Sequence, residues 1–252
     1  MKFRACLSLS LSLCLLPLAA WADDAPAAAT GSSPATSDPV GEFLKGQSFS
    51  LGYSYAQGTF KMSRGDGTTS QMTDNGRASP IINYTTGEWV LDKFPMKYGN
   101  GAIGVNIGGS FGEQDTHFQL NPQTSAIIGQ NQRSRVTGDF LSVAPLLYLR
   151  LGPIYPDSDS YWLFGYGPGV ALYHFSGNPI FYTPQAGGGY LATSGPVSSS
   201  ATLFLYQTWR WQFHYGNWDV LFTAKQLSGR KVDGYDTSYE DYSLGLAYTF
   251  RF

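Results

Sequence analysis

Residues 239–252 read Tyr-Glu-Asp-Tyr-Ser-Leu-Gly-Leu-Ala-Tyr-Thr-Phe-Arg-Phe. From Tyr242 onward every second residue is apolar or aromatic: Tyr242, Leu244, Leu246, Tyr248, Phe250 and Phe252. Between them stand Ser243, Gly245, Ala247, Thr249 and Arg251, preceded by Asp241. Successive side chains of a strand point to opposite faces, so this segment is a strand with one apolar and one polar face.

The same alternation recurs upstream and counts out further strands. Residues 47–60 place Phe49, Leu51, Tyr53 and Tyr55 on one face and Ser48, Ser50, Gly52, Ser54 and Ala56 on the other. Residues 77–84 follow more weakly through Ile82 and Tyr84, and residues 102–112 through Ile103, Val105, Ile107 and Phe111. Over 140–151 the apolar set is Leu141, Val143, Pro145, Leu147, Leu149 and Leu151, opposite Ser142, Ala144, Tyr148 and Arg150. Over 161–175 Trp162, Phe164, Tyr166, Val170 and Leu172 face away from Gly165, Gly167, Gly169 and Ala171. Residues 201–213 and 218–226 read as a hairpin about Tyr215-Gly216, with Phe213 opposite Trp218 and Gln212 opposite Asp219.

A closing strand with alternating aromatics and a terminal Phe252 resembles the last strand of bacterial outer-membrane β-barrels. The resemblance implies an all-β fold, a transmembrane antiparallel up-and-down barrel of eight strands like the small OmpA-, OmpX- and OmpW-like proteins. It also implies that Tyr248, Phe250 and Phe252 form the signal read by the barrel-assembly machinery. Connections 61–76, 113–137, 176–200 and 227–238 are long and polar, as extracellular loops are, while the two hairpin turns after residues 151 and 213 are short. Residues 85–101 are long for a turn and include Trp89-Val90-Leu91; they either extend the flanking strands or hide a further hairpin in a ten-stranded barrel. Trp162, Trp209, Trp211, Trp218, Phe250 and Phe252 fit a periplasmic aromatic girdle, and Tyr53, Tyr55, Tyr239 and Tyr242 an outer one.

The N-terminus supplies an export route. Lys2 and Arg4, the apolar run from Ala5 to Leu16 and the small-x-small site Ala20-Trp21-Ala22 form a signal peptide over residues 1–22, too short in its apolar stretch to span a bilayer. Residues 23–46, rich in Ala, Pro, Ser and Thr, read as a flexible periplasmic leader with one helical turn near its end, and 47–252 as the barrel. Cys6 and Cys14 leave with the signal, so neither disulfide nor thiol chemistry is expected. Removing Lys2 and Arg4 leaves 14 basic residues against 18 acidic ones, about −4, which argues against a nucleic-acid partner. Only 13% of residues are charged while 15% are aromatic, which suits a surface facing lipid and lipopolysaccharide.

Eight strands enclose a lumen just wide enough for side chains to fill. The charges expected inside are Arg77, Arg150, Arg210, Asp219, Lys225, Asp241 and Arg251, with Arg210 diagonal from Asp219 and Lys225 opposite Tyr206. Buried charges are costly unless paired, so a structural network is expected, with a narrow ion-selective path as the alternative. The chain also carries His174-Phe175-Ser176-Gly177-Asn178, similar to the His-x-Ser element of the lipid A deacylase barrels. That resemblance implies His174 as base and Ser176 as nucleophile, with a glutamate of the next strand orienting the histidine. Here Gly177 replaces the family's Asn, and no carboxylate follows until Asp219. A second echo, Ser228 with Glu240, has Gln226 at the histidine position and no base. His117 and His214 lack metal-ligand spacing, and no cofactor is expected. The resulting expectation is a non-enzymatic outer-membrane protein acting as scaffold or surface-contact protein.

Overall fold

Paired alternation turns into ladders in the computed structural model, which describes residues 46–252 apart from 75, 98, 118–133 and 155–158. Among the described residues the strands are β1 Ser48–Ser63, β2 Thr69–Thr73, β3 Arg77–Thr85, β4 Trp89–Met96, β5 Gly99–His117, β6 Arg135–Gly152, β7 Ser160–Gly177, β8 Ile180–Pro184, β9 Tyr190–Ser194, β10 Val197–Tyr215, β11 Trp218–Val232 and β12 Tyr235–Arg251. Antiparallel pairing runs β1–β3–β5–β6–β7–β10–β11–β12 and returns to β1. Eight staves therefore close a barrel, and closure removes the open edges that a sheet in lipid could not satisfy. The seam is continuous, from Ser48 opposite Arg251 to Ser63 opposite Asp236.

The long connection at 85–101 resolves as an extension, not as an extra hairpin. β3 pairs with β1 as far as Thr85 and with Gly108–Phe111 of β5, and after a short break β4 continues the same stave against Gly99–Val105. Thr86 fastens the break to β5: its N–H donates to Ile107 O (2.9 Å) and its hydroxyl accepts from Ile107 N (3.0 Å).

Outward residues form a belt whose height matches a membrane. A tilted strand needs roughly 9–11 residues to cross the hydrocarbon. Leu141–Leu151 of β6 and Trp162–Leu172 of β7 fill that length with apolar outward positions, and Tyr242–Phe250 of β12 does the same. Above the belt the outward positions turn polar at Glu113, Asp139, His174, Gln226 and Glu240. The tight turn at 216–217 marks the opposite end as periplasmic, since barrels of this kind keep short turns there and longer connections outside.

Three expectations are corrected. The β10–β11 register pairs Tyr215 with Trp218, Phe213 with Val220 and Gln212 with Leu221, two residues away from the expected match. A slip of two preserves both faces, which is why the hydrophobic pattern could not distinguish the two registers. The outer connections are largely strand: β11 and β12 meet at the two-residue turn Asp233-Gly234, β2 folds back on β1, and β8–β9 form a hairpin within 176–200. Tyr239 points into the lumen, 1% exposed, because it shares parity with Asp241 and Ser243 rather than with Tyr242. The leader, its helical turn as far as Lys45 and most of the 113–137 connection lie outside the described residues.

The lumen is divided in two. Its extracellular half is packed with Phe60, Met62, Met72, Phe140, Tyr173, Phe175, Phe204, Tyr206 and Tyr239, all 3% exposed or less. Rings interlock across it, Tyr173 with Phe204 at 5.1 Å and Phe60 with Phe175 at 5.1 Å. β2 and β8, joined where Thr69 faces Tyr182, bring Met72 and Phe181 onto this plug. The periplasmic half is polar and holds the candidate site.

Candidate functional site

Inward positions near the periplasmic end of β10, β11 and β12 carry His214, Asp219, Gln212, Thr249 and Arg251. All of these but His214 border a cavity of about 240 Å³, also lined by Ser50, Asn83, Glu88, Asn106, Arg150, Tyr161 and Arg210. Its mouth is at the rim, where the Arg251 and Asp159 side chains are 41% and 56% exposed. Beyond its other end the lumen is filled by the aromatic plug.

A chain of charge-assisted contacts crosses the mouth. His214, with no exposed surface, stacks on Tyr161 at 4.6 Å. Its Nδ1 lies 2.6 Å from Asp219 Oδ1, and Arg251 Nη2 lies 2.7 Å from its Nε2. A guanidinium can only donate, so Nε2 accepts and the ring proton sits on Nδ1, donated to Asp219. Asp219 also accepts from Gln212 Nε2 at 2.8 Å and from the Thr249 hydroxyl. Arg251 reaches onward to Asp159 and, at 3.2 Å, to the Tyr161 hydroxyl.

The charged residues expected to form one interior network are distributed over separate contacts. Arg150 meets Glu88 at 2.6 Å, and Tyr148 donates to the same carboxylate at 3.0 Å. Arg77 lies 2.8 Å from Asp74 and donates to the backbone carbonyl of Glu113. Lys225 stands opposite Thr208 in β10 and Asp241 in β12, its ammonium 5.6 Å above the Phe140 ring. Arg210 faces Thr223, and Asp219 faces His214, so the expected diagonal between Arg210 and Asp219 is replaced by a cross-strand His–Asp pair. Sequence reasoning missed Glu88, Asp159 and Asp74 because they sit in breaks and turns, where strand parity assigns no face. His214 was within reach: it continues the inward set Arg210, Gln212 on the same strand.

On the outside of the barrel the structure adds a group that the His-x-Ser resemblance lacked. Asp139 of β6 is directly opposite His174 of β7, its Oδ1 3.5 Å from Nδ1, with both side chains about half exposed. The carboxylate comes from the preceding strand, whereas the resemblance sought it on the following one. Ser176 lies two residues beyond His174 on the same outward face, just above the apolar belt. At the second echo Gln226 donates to Glu240 at 3.5 Å, and Lys61 approaches the same carboxylate at 3.6 Å. In the closing strand, outward Tyr248 and Phe250 meet edge to face at 5.0 Å, and Tyr248 meets Trp218 likewise at 5.2 Å.

Higher up, outside the membrane belt, Arg135 holds Asp115 through two hydrogen bonds of 2.8 and 2.7 Å. Those bonds hold the Asp115 carboxyl below its usual range.

No family model matches the chain, and no curated protein matches it. Among solved structures, Neisserial surface protein A is similar at 10% identity over 82% of this chain and 98% of that one, with a TM-score of 0.39. The attachment invasion locus protein of Yersinia pestis, solved with the heparin analogue sucrose octasulfate, gives 18% identity over 82% and 100%, with a TM-score of 0.29. The outer membrane enzyme PagL gives 14% over 77% and 98%, with a TM-score of 0.35. With its ring of eight staves and its apolar outward belt, this chain has the fold of a transmembrane antiparallel β-barrel.

Proposed function

We propose that the chain is a non-enzymatic outer-membrane protein, exported by residues 1–22 as a cleaved signal and acting as a membrane scaffold or surface-contact protein through its extracellular connections. The observation that carries this reading is the aromatic plug in the lumen, where Phe60, Phe140, Tyr173, Phe175 and Phe204 are at most 1% exposed. The contact surface is formed by the outer hairpins, whose 176–200 segment carries no Asp, Glu, Lys or Arg. Lipid and lipopolysaccharide meet the outward belt, and the assembly machinery reads Tyr248, Phe250 and Phe252. Planar-bilayer recording of the purified protein tests the claim. Silence at all voltages is expected, and a steady conductance at the single-molecule level would overturn it.

One contact favours a second reading, an acyl hydrolase working on outer-leaflet lipid. Asp139 lies beside His174 from β6, and the pair sits with Ser176 where the apolar belt gives way to polar residues. In this reading His174 takes the Ser176 proton and Asp139 stabilises the imidazolium. Fatty acid released from lipopolysaccharide, and abolished by both His174→Ala and Ser176→Ala, would establish it. No release from the wild-type barrel would dismiss it.

A further inference from the structure

The chamber is lined by three guanidiniums and three carboxylates, Arg150, Arg210, Arg251 and Glu88, Asp159, Asp219. Two of the cations are matched, Arg150 by Glu88 and Arg251 by Asp159. The third carboxylate, Asp219, is already held by His214, Gln212 and Thr249. Arg210 is left over. Among the described residues no carboxylate oxygen lies within 4 Å of it, and its Nε is buried without a hydrogen-bond partner.

Arg210 occupies a particular place: it borders both the inner end of the chamber and a smaller void of about 20 Å³ above it, beneath the plug. Lys225 lines that void as a second cation, and Ser54, Thr223 and Ser243 contribute hydroxyls. Two more orphaned polar atoms border the same space, Thr208 Oγ1 in the void and Asn106 Oδ1 in the chamber. A flip of the Asn106 amide presents a donor in place of that oxygen. A guanidinium whose Nε is buried without a hydrogen bond and that has no carboxylate within ion-pair distance is costly, and water can satisfy the donor without supplying the charge.

We propose that the inner end of the chamber is a binding site for a small oxyanion, a carboxylate or phosphate group entering from the periplasmic mouth and held by the Arg210 fork. The fork is suited to such groups because its paired N–H donors match two oxygens of one acid. Lys225 stands above beside its cross-strand neighbour Asp241, and Thr208 adds a hydroxyl. The chamber's size points to a small solute, since it falls just below the roughly 300–1,000 Å³ of pockets that take drug-sized ligands. The carboxylates at the rim, Asp159 and Glu88, are neutralised by their own arginines and leave the entry open to an anion.

The test uses the intact chain in detergent micelles at constant ionic strength, with inorganic phosphate and acetate titrated against chloride by calorimetry. Saturable binding of either probe, weakened about tenfold or more in Arg210→Gln and kept in the extracellular control Arg64→Gln, is the expected result. Which probe binds tells phosphate from carboxylate. Failure of both to saturate, or equal binding by Arg210→Gln, overturns the site. If Arg210→Gln does not fold, crystals of the wild-type chain soaked in selenate decide: anomalous scatter beside the guanidinium supports the proposal, and its absence refutes it.

Discussion

His214 and Asp219 show how a single buried pair organises the mouth of the barrel. Asp219 accepts from three side chains, so Asp219→Ala strands the His214 N–H, the Gln212 amide and the Thr249 hydroxyl in one step. Removing one partner of such a buried cluster costs about 3–5 kcal/mol, and a fall of that size is expected in urea unfolding followed by tryptophan fluorescence. Asp115 gives a contrasting case outside the membrane. Because Arg135 depresses its folded pKa below the ordinary value of about 3.9, its contribution is present above that value and is lost as pH falls through the depressed one. The pair is exposed enough for solvent to screen it, so Asp115→Asn should lower stability by no more than about 1 kcal/mol at neutral pH. At pH values below the depressed pKa, unfolding curves of Asp115→Asn and wild type should coincide; a difference that persists there would exclude the charge as the cause.

At the scale of elements, turn chemistry decides what alternation alone leaves open. Gly216 has φ 61° and Asn217 does not adopt a positive φ, so the β10–β11 turn has its positive residue first, as in a type II′ turn. That geometry fixes Tyr215 opposite Trp218, where the sequence pattern fitted a register two residues away equally well. Asp233 (φ 52°) and Gly234 (φ 83°) both take positive φ, the type I′ signature that an Asp-Gly pair favours. This dipeptide stood in plain view inside a segment read as a loop, and it explains why β11 and β12 run well beyond the membrane. Gly216→Val forces a branched side chain into the left-handed region and should cost about 1–2 kcal/mol. Its thermal unfolding midpoint should drop while the β-sheet circular dichroism of the folded form stays unchanged; an unshifted midpoint would contradict the turn assignment.

For the whole molecule, the outside was legible and the inside was not, for one physical reason. Lipid imposes a single requirement on every outward residue, so Leu141–Leu151, Trp162–Leu172 and Tyr242–Phe250 announce themselves by period two. Inward residues answer to partners across the lumen, and those partners depend on stagger: Glu88, Asp159 and Asp74 arrive from breaks and turns, and Asp139 reaches His174 from the strand before it. The plug was foreseeable only as a filled lumen, and its apolar character at the outer half could not be read from inward positions that are mostly small or polar elsewhere. That character yields the most consequential prediction. Phe140, Tyr173 and Phe204 interlock at 6.3 and 5.1 Å within the plug. Replacing all three by Ala removes rings that lie between the chamber and the outer surface, at a cost of about 3–5 kcal/mol for each deleted ring. A variant that still shows the heat-dependent gel shift of a folded barrel should pass ions in planar bilayers where the wild type is silent. If the folded triple variant is equally silent, closure resides in the β2–β8 cap, and Met62, Met72 and Phe181 become the residues that seal the barrel.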